Sequence, residues 1–336
     1  MADPIDAARP SVSVILPTLN EGRRLGRCLE SIRAQAYPQD RVEILVADGG
    51  STDATVEIAE GHGCRLVDAA GLLAEAAKGR ALELATGELI AMVDADNTIS
   101  SPDWLSLAVE ALAEQPGALG FESYYALDPA DPALNRYLTG LLQISDPWAR
   151  TVARRLRRVG AAPSGAEVFE LPPDGAYPTG ANGFVFPRRH LEALGDRPFH
   201  EATFFPQLIR SGVRRLLKHP RARVHHDYVR GWGDYFRKKQ RVAMHYLLRR
   251  DDVDGGWDAD LPAPRRWGAM LYCASFAGPL AESFALALRD RRTEWLLHAP
   301  ASAAAVAATV TGIAKSRFSA SRDDRVRASR ALKPRD

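Results

Sequence analysis

The sequence predicts an α/β fold: a mostly parallel, twisted sheet with helices on both faces. Three observations predict it. The first third switches repeatedly between apolar runs of strand length and segments with helical periodicity. The turns between them are short, as parallel strands joined by crossover helices require. Each apolar run also ends in polar residues: "PTLNEG", "ADGGSTD" and "DADN". Ligands of such sheets bind outside the carboxyl ends of the strands.

The elements follow in order. "SVSVILPT" is the first strand, and "EGRRLGRCLESIRAQA" a helix with Leu25, Leu29 and Ile32 on one face and arginines elsewhere. "RVEILVADGGS" is a buried strand ending in a turn. "TDATVEIAEGHG" is a short helix with Ser51, Thr52 and Asp53 as candidate caps. "CRLVDA" is the third strand, "LLAEAAKGRALELATG" a helix and "ELIAMVDAD" the fourth strand. "SPDWLSLAVEALAEQPG" opens with the residue order of a helix start. The stretch from about 120 to 230 is less regular. It holds the loop and strand "YPTGANGFVFPRRHL", a helix in "FHEATFFPQLIRSG" and the segment "ARVHHDYV". The basic amphipathic helix "WGDYFRKKQRVAMHYLLRR" follows, and "DDVDGGWDADLPAP" reads as a boundary.

Bulk numbers narrow the function classes. A net charge of +2 gives no footing for a nucleic-acid binder. Cys28, Cys64 and Cys273 show no zinc spacing, and their odd number suits a reducing compartment. "MADPIDAARPS" is acidic and not signal-like, so the expected location is the cytoplasm, peripheral on the inner face of a membrane. The membrane expectation comes from the far end. "WGAMLYCASFAGPLAESFALAL" approaches spanning length but contains Glu282 and Pro279 and is flanked by Arg265, Arg266, Arg289, Arg291 and Arg292. A central acid costs about 2.5–3.5 kcal/mol on insertion. These helices are therefore expected to lie on or dip into a bilayer rather than cross it, with a soluble helical hairpin as the alternative. From Lys315 onward the tail has eight basic and three acidic residues, suited to anionic lipid or to disorder.

The strand ends carry the chemistry. "ELIAMVDAD" reads as a strand, so Asp94 and Asp96 converge on one face with Ala95 turned away. Carboxylates about 5 Å apart repel by about 3 kcal/mol at an effective dielectric of about 20, and a divalent cation relieves this. A solvated Asp94 with Asp96 or Asn97 capping the next helix explains the stretch equally well. Asp48 enters "GGSTD", whose Gly49 permits close backbone approach. Its carboxylate and that of Glu21 can accept hydrogen bonds from a base or ribose. Lys78 either meets a phosphate or is solvated.

Together "VSVILPTLNEGRRLGRCLESIRAQ", "EILVADGGSTDATVEIAE" and "KGRALELATGELIAMVDADN" strongly resemble the family 2 glycosyltransferases, with the GT-A nucleotide-sugar fold. The resemblance covers residues 11 to 125. It continues more loosely through "TGANGFVFPRRHLEALG", "ARVHH" and "YFRKKQR" to about 245. It implies a GT-A domain over 10–250, with a nucleotide-binding half at 10–125 and an acceptor half at 126–250. Amphipathic or membrane-associated helices at 258–315 and a basic tail at 316–336 complete the expected organisation.

The implied reaction moves a sugar from a nucleoside diphosphate, as a UDP- or GDP-sugar, to an acceptor with inversion. By the resemblance Pro17, Leu19, Glu21, Asp48 and Gly49 hold the base and ribose, and Lys78 lies by the nucleotide. Asp94 contacts ribose or metal. Asp96 ligates Mg2+ or Mn2+, with His225 completing the metal site and His226 as the alternative. Arg237, Lys238 and Arg241 face the diphosphate. Gly180, Ala181, Asn182 and Gly183 form the loop beneath donor sugar and acceptor. The family's usual base is an aspartate at a helix start after that loop. "FHEATFFPQLIRSG" has no aspartate, so Glu201 is the candidate base. The aromatic and amphipathic segment 121–150 and the C-terminal helices imply a polyprenyl-linked or other membrane-presented acceptor, or a glycan. A non-catalytic nucleotide-sugar binder is the alternative. A sugar-phosphate nucleotidyltransferase fits less well, because "PTLNEGRR" lacks the glycine-rich phosphate loop.

Overall fold

The computed structural model describes residues 9–144, 146–250, 256–258 and 261–317. The tail beyond 317 and parts of the acidic boundary at 251–255 and 259–260 lie outside the described residues.

The predicted strand–helix alternation is present through the first third. Strands β1 (Val12–Thr18), β2 (Val42–Asp48), β3 (Arg65–Asp68) and β4 (Leu89–Met92) form. Helices α1 (Gly22–Arg33), α2 (Thr55–Gly61), α3 (Ala74–Leu82) and α4 (Trp104–Glu114) alternate with them. Short β5 (Asn97–Ile99) precedes α4, and β6 (Ala118–Glu122) and β7 (Tyr124–Tyr125) follow it. Next come α5 (Ala133–Asn135), which runs into a π-helical turn at Arg136–Leu141, and α6 (Pro147–Val152). Strands β8 (Arg157–Ala161), β9 (Glu167–Glu170) and β10 (Phe184–Pro187) lead to α7 (Glu201–Arg210). After β11 (Arg215–Lys218) and β12 (Arg223–His226) the chain is helical: α8 (Trp232–Arg250), α9 (Ala263–Ser275), α10 (Ala277–Asp290) and α11 (His298–Arg317).

The chain divides into two compact units: Met1–Ala126 with Arg155–His226, and Leu127–Arg154 with Asp227–Asp336. The sequence reading drew its boundaries elsewhere, at 125/126 and after 250. The first unit holds a nine-stranded sheet in the order β3-β2-β1-β4-β10-β6-β11-β9-β8. The β3-β2-β1-β4 block is parallel, and β10 enters antiparallel between β4 and β6. Strand alternation sorts the core into two layers. Val12, Val14, Leu16, Ile44, Val46 and Ala91 face α1 and α4. Ile15, Leu45, Ala47, Ile90 and Met92 face α3 and α7. Phe184, Phe186, Phe204 and Phe205 seal the second layer, with Phe186 and Phe205 edge to face at 5.3 Å. Such pairs contribute about 0.5–1.5 kcal/mol beyond their buried area. A smaller sheet, β5-β12-β7, sets His226 opposite Asn97.

In the second unit Tyr137, Leu138, Val229, Tyr235, Leu286, Trp295, Ala301 and Ala305 form the core. Thr293–Arg317, which includes α11, is long and apolar enough to cross a membrane. Its small residues Ala301, Ser302, Ala305, Ala308 and Gly312 are buried. A Cβ at Gly312 would stand 2.7 Å from the Gln240 carbonyl oxygen of α8, so this helix packs backbone to backbone. Helices α9 and α10 are bent at 77° to one another.

Candidate active site

The first two strand-end loops brace each other. Asn20, at φ 52°, donates its backbone N–H to Ser51 Oγ at 2.8 Å and accepts from the Thr52 N–H at 2.8 Å. The Gly22 N–H donates to Asp53 Oδ2 at 2.9 Å, and the Glu21 N–H to Thr55 Oγ1 at 2.8 Å. Of the caps expected for α2, Asp53 also serves the helix, its Oδ1 accepting the Thr55 N–H at 3.0 Å, while Ser51 is used elsewhere. Ala54 occupies the N-cap position without a side-chain bond, while Ser51 and Asp53 tie the loops together. Burial would raise the Asp53 carboxyl, but hydrogen bonds from Thr55 and Gly22 outweigh it and hold the pKa below the usual value.

Asp48 is committed to the same turn. Its Oδ2 accepts from the Gly50 N–H at 3.0 Å and the Ser51 N–H at 2.8 Å. Its Oδ1 accepts from Ser51 Oγ at 2.5 Å and Thr18 Oγ1 at 3.3 Å. A carboxylate offers about four acceptor positions. Contact with a ribose therefore requires Asp48 to exchange one of these bonds. Half-buried Pro17 and Leu19 lie beside the turn, where the Gly49 N–H donates to the Thr18 carbonyl at 2.8 Å.

The acidic stretch departs from the expected geometry. β4 stops at Met92, so Asp94 and Asp96 occupy a turn rather than one strand face. The turn is closed by Asn97, whose N–H donates to the Asp94 carbonyl at 2.9 Å and whose Oδ1 accepts the Asp94 N–H at 3.1 Å. Each carboxylate faces different basic groups. Asp94 Oδ1 lies 3.2 Å from Lys78 Nζ. Asp96 Oδ2 lies 3.9 Å from Arg24 Nη1, and its Oδ1 3.4 Å from His226 Nε2. Arg24, expected off the apolar face of α1, is buried. His226, named as the alternative to His225, is the imidazole aimed at Asp96. His225 occupies the alternate position on β12.

Asn97 also joins this turn to the glycine loop. Its Nδ2 donates to Asn182 Oδ1 at 3.1 Å and approaches Asp96 Oδ1 at 3.4 Å. The Gly183 N–H donates to the Met92 carbonyl at 2.8 Å, and the Gly183 carbonyl accepts from Ser123 Oγ at 2.7 Å. Gly180 has φ 119°, and a Cβ there would meet the Phe205 ring at 2.3 Å and Glu201 Cγ at 3.0 Å. Only glycine allows the loop to pass so close beneath Glu201.

Glu201 begins α7, where the helix dipole favours a carboxylate. Lys78 Nζ donates to its Oε2 at 2.8 Å, so one buried ammonium bridges Glu201 and Asp94. Burial raises the Glu201 pKa, Lys78 lowers it, Glu75 and Asp94 raise it, and the net shift is upward. Burial pushes the Lys78 ammonium the other way, but the two carboxylates outweigh it and its pKa rises. Lys78 is thus neither solvated nor aimed only at a nucleotide. His200 Nδ1 stands 3.4 Å from Glu75 Oε2 beside this network.

Arg237, Lys238 and Arg241 stand on α8 of the second unit. Lys238 Nζ lies 4.3 Å over the Tyr228 ring. Neither Arg24 nor Asn97 was singled out as a site residue from sequence. Arg24 is three residues beyond the expected ribose contact Glu21, and that proximity is the only available signal.

A divalent cation fits the residues present. Two ligands of one small hard cation stand about 3 Å apart, close to the 3.4 Å between Asp96 Oδ1 and His226 Nε2. The donors are hard oxygen and imidazole nitrogen.

Comparison with known proteins follows the same outline. The profile of glycosyl transferase family 2 matches residues 13–140. The glycosyltransferase AglE of Haloferax volcanii is 33% identical over 112 residues, 31% of this chain and 36% of that one. A Methanococcus voltae protein is 45% identical over 47 residues, 14% of this chain and 15% of that one. Its name is dolichyl N-acetyl-alpha-D-glucosaminyl phosphate 3-beta-D-2,3-diacetamido-2,3-dideoxy-beta-D-glucuronosyltransferase. The chain thus matches about a third or less of the length of these relatives. Among solved structures, the mannosyltransferase PcManGT of Pyrobaculum calidifontis, in complex with GDP-Man and Mn2+, matches with a TM-score of 0.53 and 21% identity. The match covers 94% of this chain and 89% of that one, and shows the fold to be of the GT-A type.

Proposed function

We infer, for a chain whose residues 13–140 match the profile of glycosyl transferase family 2, that it transfers a sugar from a nucleoside-diphosphate sugar to an acceptor with inversion. The observation that carries this reading is the Lys78 bridge between Asp94 and Glu201, above the Gly180 loop. It sets a carboxylate with an elevated pKa beside the strand-end acids. A general base needs this placement and tuning.

In the reaction the acceptor oxygen attacks the anomeric carbon from the face opposite the diphosphate. Glu201 takes the hydroxyl proton as the new carbon–oxygen bond forms. The bond to the β-phosphate oxygen breaks, and the nucleoside diphosphate leaves with the electron pair. Lys78 holds Glu201 through Oε2 and leaves Oε1 for the proton. Asp96 and His226, with Asp94 adjoining, would hold Mg2+ or Mn2+, which when bound stabilises charge on the leaving diphosphate. Pro17, Leu19, Glu21, Asp48 and Gly49 form the edge for base and ribose. Arg237, Lys238 and Arg241 are kept as candidate diphosphate contacts. The named acceptor of the Methanococcus relative supports a lipid-linked acceptor here, and the GDP-Man complex of the Pyrobaculum neighbour supports a GDP-sugar, with a UDP-sugar as the alternative donor.

Replacing Glu201 tests the assignment. Glu201→Gln keeps the shape and a hydrogen-bond acceptor for Lys78 but cannot take a proton. Transfer is expected to fall about 10²–10⁴-fold, with donor affinity by calorimetry retained. Turnover near the wild-type level with donor bound normally would falsify the role of Glu201. Donor binding with neither transfer nor slow hydrolysis in the wild-type protein would instead support the non-catalytic binder.

A further inference from the structure

Helix α10 is apolar on both sides, with Leu286 packed in the helical core, and its one central charge is also on the inward side. Its inward side carries Glu282, which accepts from Arg150 at 2.7 Å and from the Tyr272 hydroxyl, and lies 3.3 Å from His298. Ser283 beside it is fully buried. Its outward side carries Leu280, Phe284 and Leu288, exposed by 36%, 55% and 80%, at a four-residue spacing that keeps them on one face. Ala277, Ala281 and Ala285 fill the same side. Phe276 at the bend is 44% exposed, and α9 adds Trp267 and Leu271 at 67% each. Glu282 is the only charged residue between Arg266 and Arg289, and it is turned inward.

A soluble helix buries its apolar stripe and exposes its charges. Here the outward side is as apolar as the inward one, the mark of a surface that an apolar medium covers. Charge selects among the occupants. Arg265, Arg266, Arg289, Arg291 and Arg292 flank the apolar stretch with Asp290 as the only acid among them. A second copy would bring two basic rims together, whereas anionic headgroups complement them. Length selects the mode. Arms of 13 and 14 residues are about 20 Å long, short of the roughly 30 Å hydrocarbon core. Their 77° bend prevents a single straight span.

We propose that the α9–α10 elbow is a monotopic anchor that inserts Phe276, Leu280, Phe284 and Leu288 into one leaflet of an anionic bilayer. Trp267 and the arginine rim then sit at headgroup level. This rests on the lipid-acceptor reading for its purpose, but vesicle flotation tests it without sugar transfer, so the two fail separately.

The experiment is flotation of the full chain with phosphatidylcholine vesicles and with vesicles that also contain phosphatidylglycerol. Wild type is expected to float with the anionic vesicles and much less with the neutral ones. Phe284→Glu with Leu288→Glu should reduce partitioning about 100-fold, with an unchanged melting temperature because both side chains are exposed. Arg289→Gln with Arg291→Asn should weaken binding to anionic vesicles and flatten its salt dependence. Wild type that stays unbound with both vesicle types overturns the proposal. So does a dimer, seen by sedimentation, that the Phe284 and Leu288 changes dissociate while flotation is unaffected.

Discussion

Asn97 occupies a position that its sequence context disguises. In "VDADN" it reads as a cap or as a neighbour of the acids. In the folded chain it is buried and joins the Asp94–Asp96 turn to Asn182 of the glycine loop. Asn97→Asp keeps the shape and replaces the Nδ2 donor with an acceptor facing two acceptor oxygens. The turn and the loop should then separate. Misplacement on the scale of 1 Å costs about 100-fold in rate, so kcat should fall by about that factor while donor affinity changes little. The ratio of donor hydrolysis to transfer should rise, which a purely structural defect would not produce. Lys78 makes a second prediction at this scale. Glu201 must be ionised to act, so transfer falls as pH drops through its raised pKa. Lys78→Met removes the cation that opposes that rise, and the acidic limb of the kcat profile should move to higher pH. An unmoved limb would show that another group sets it.

The elements of the first third were legible because each carries its own period. β1, β2 and α1 each sort their apolar residues by local spacing, and no distant partner is needed to read them. β9 and β11 were not read, because strands of four residues with charged ends give periodicity too few positions to show. The two aspartates were misplaced for a related reason. Apolar "ELIAMV" suggested that the strand continued, but β4 ends at Met92 because Asn97 closes the turn. The resemblance puts His225 first and His226 second as metal ligand, but only the pairing of β12 with β5 sets which one faces Asp96. α11 carries the clearest test at this scale. It reads as a possible membrane helix, yet its small residues pack on α8. Gly312→Val would drive a branched side chain into the Gln240 backbone at a contact already 2.7 Å for a Cβ. Overpacking of this kind costs about 1–3 kcal/mol. The melting temperature should fall, whereas a lipid-facing Gly312 would tolerate the change.

At the scale of the whole molecule, the helical unit is built from two stretches of chain, 127–154 and 227 onward. A self-contained domain ending at 250 is therefore incomplete. Tyr137, Leu138, Val229 and Tyr235 pack in one core with Leu286, Trp295, Ala301 and Ala305. The Tyr137 hydroxyl shares a 2.6 Å hydrogen bond with His298 Nδ1, and Tyr235 donates to the Ala301 carbonyl at 3.1 Å. Truncation after 250 removes every partner in the second group. Re-exposure costs about 1.5–3 kcal/mol for each large apolar side chain, and the two tyrosines lose their hydrogen bonds as well. Total loss on the order of 5–10 kcal/mol rivals the stability of an ordinary domain. The 1–250 fragment should aggregate or melt without a cooperative transition. Acid adds an independent check on the same unit. The His298 contact, then Arg150 and Tyr272, hold the Glu282 carboxyl far below the usual range despite its burial. A depressed carboxylate contributes stability above its unfolded pKa of about 4.3, and that contribution is lost as pH falls through the folded value. Glu282→Gln should lower the melting temperature at neutral pH and reduce the further loss on acidification. Equal acid sensitivity in both proteins would place the acid-labile group elsewhere. Because Glu282 is also the inward charge of α10, the same variant should leave vesicle flotation intact wherever the protein remains folded.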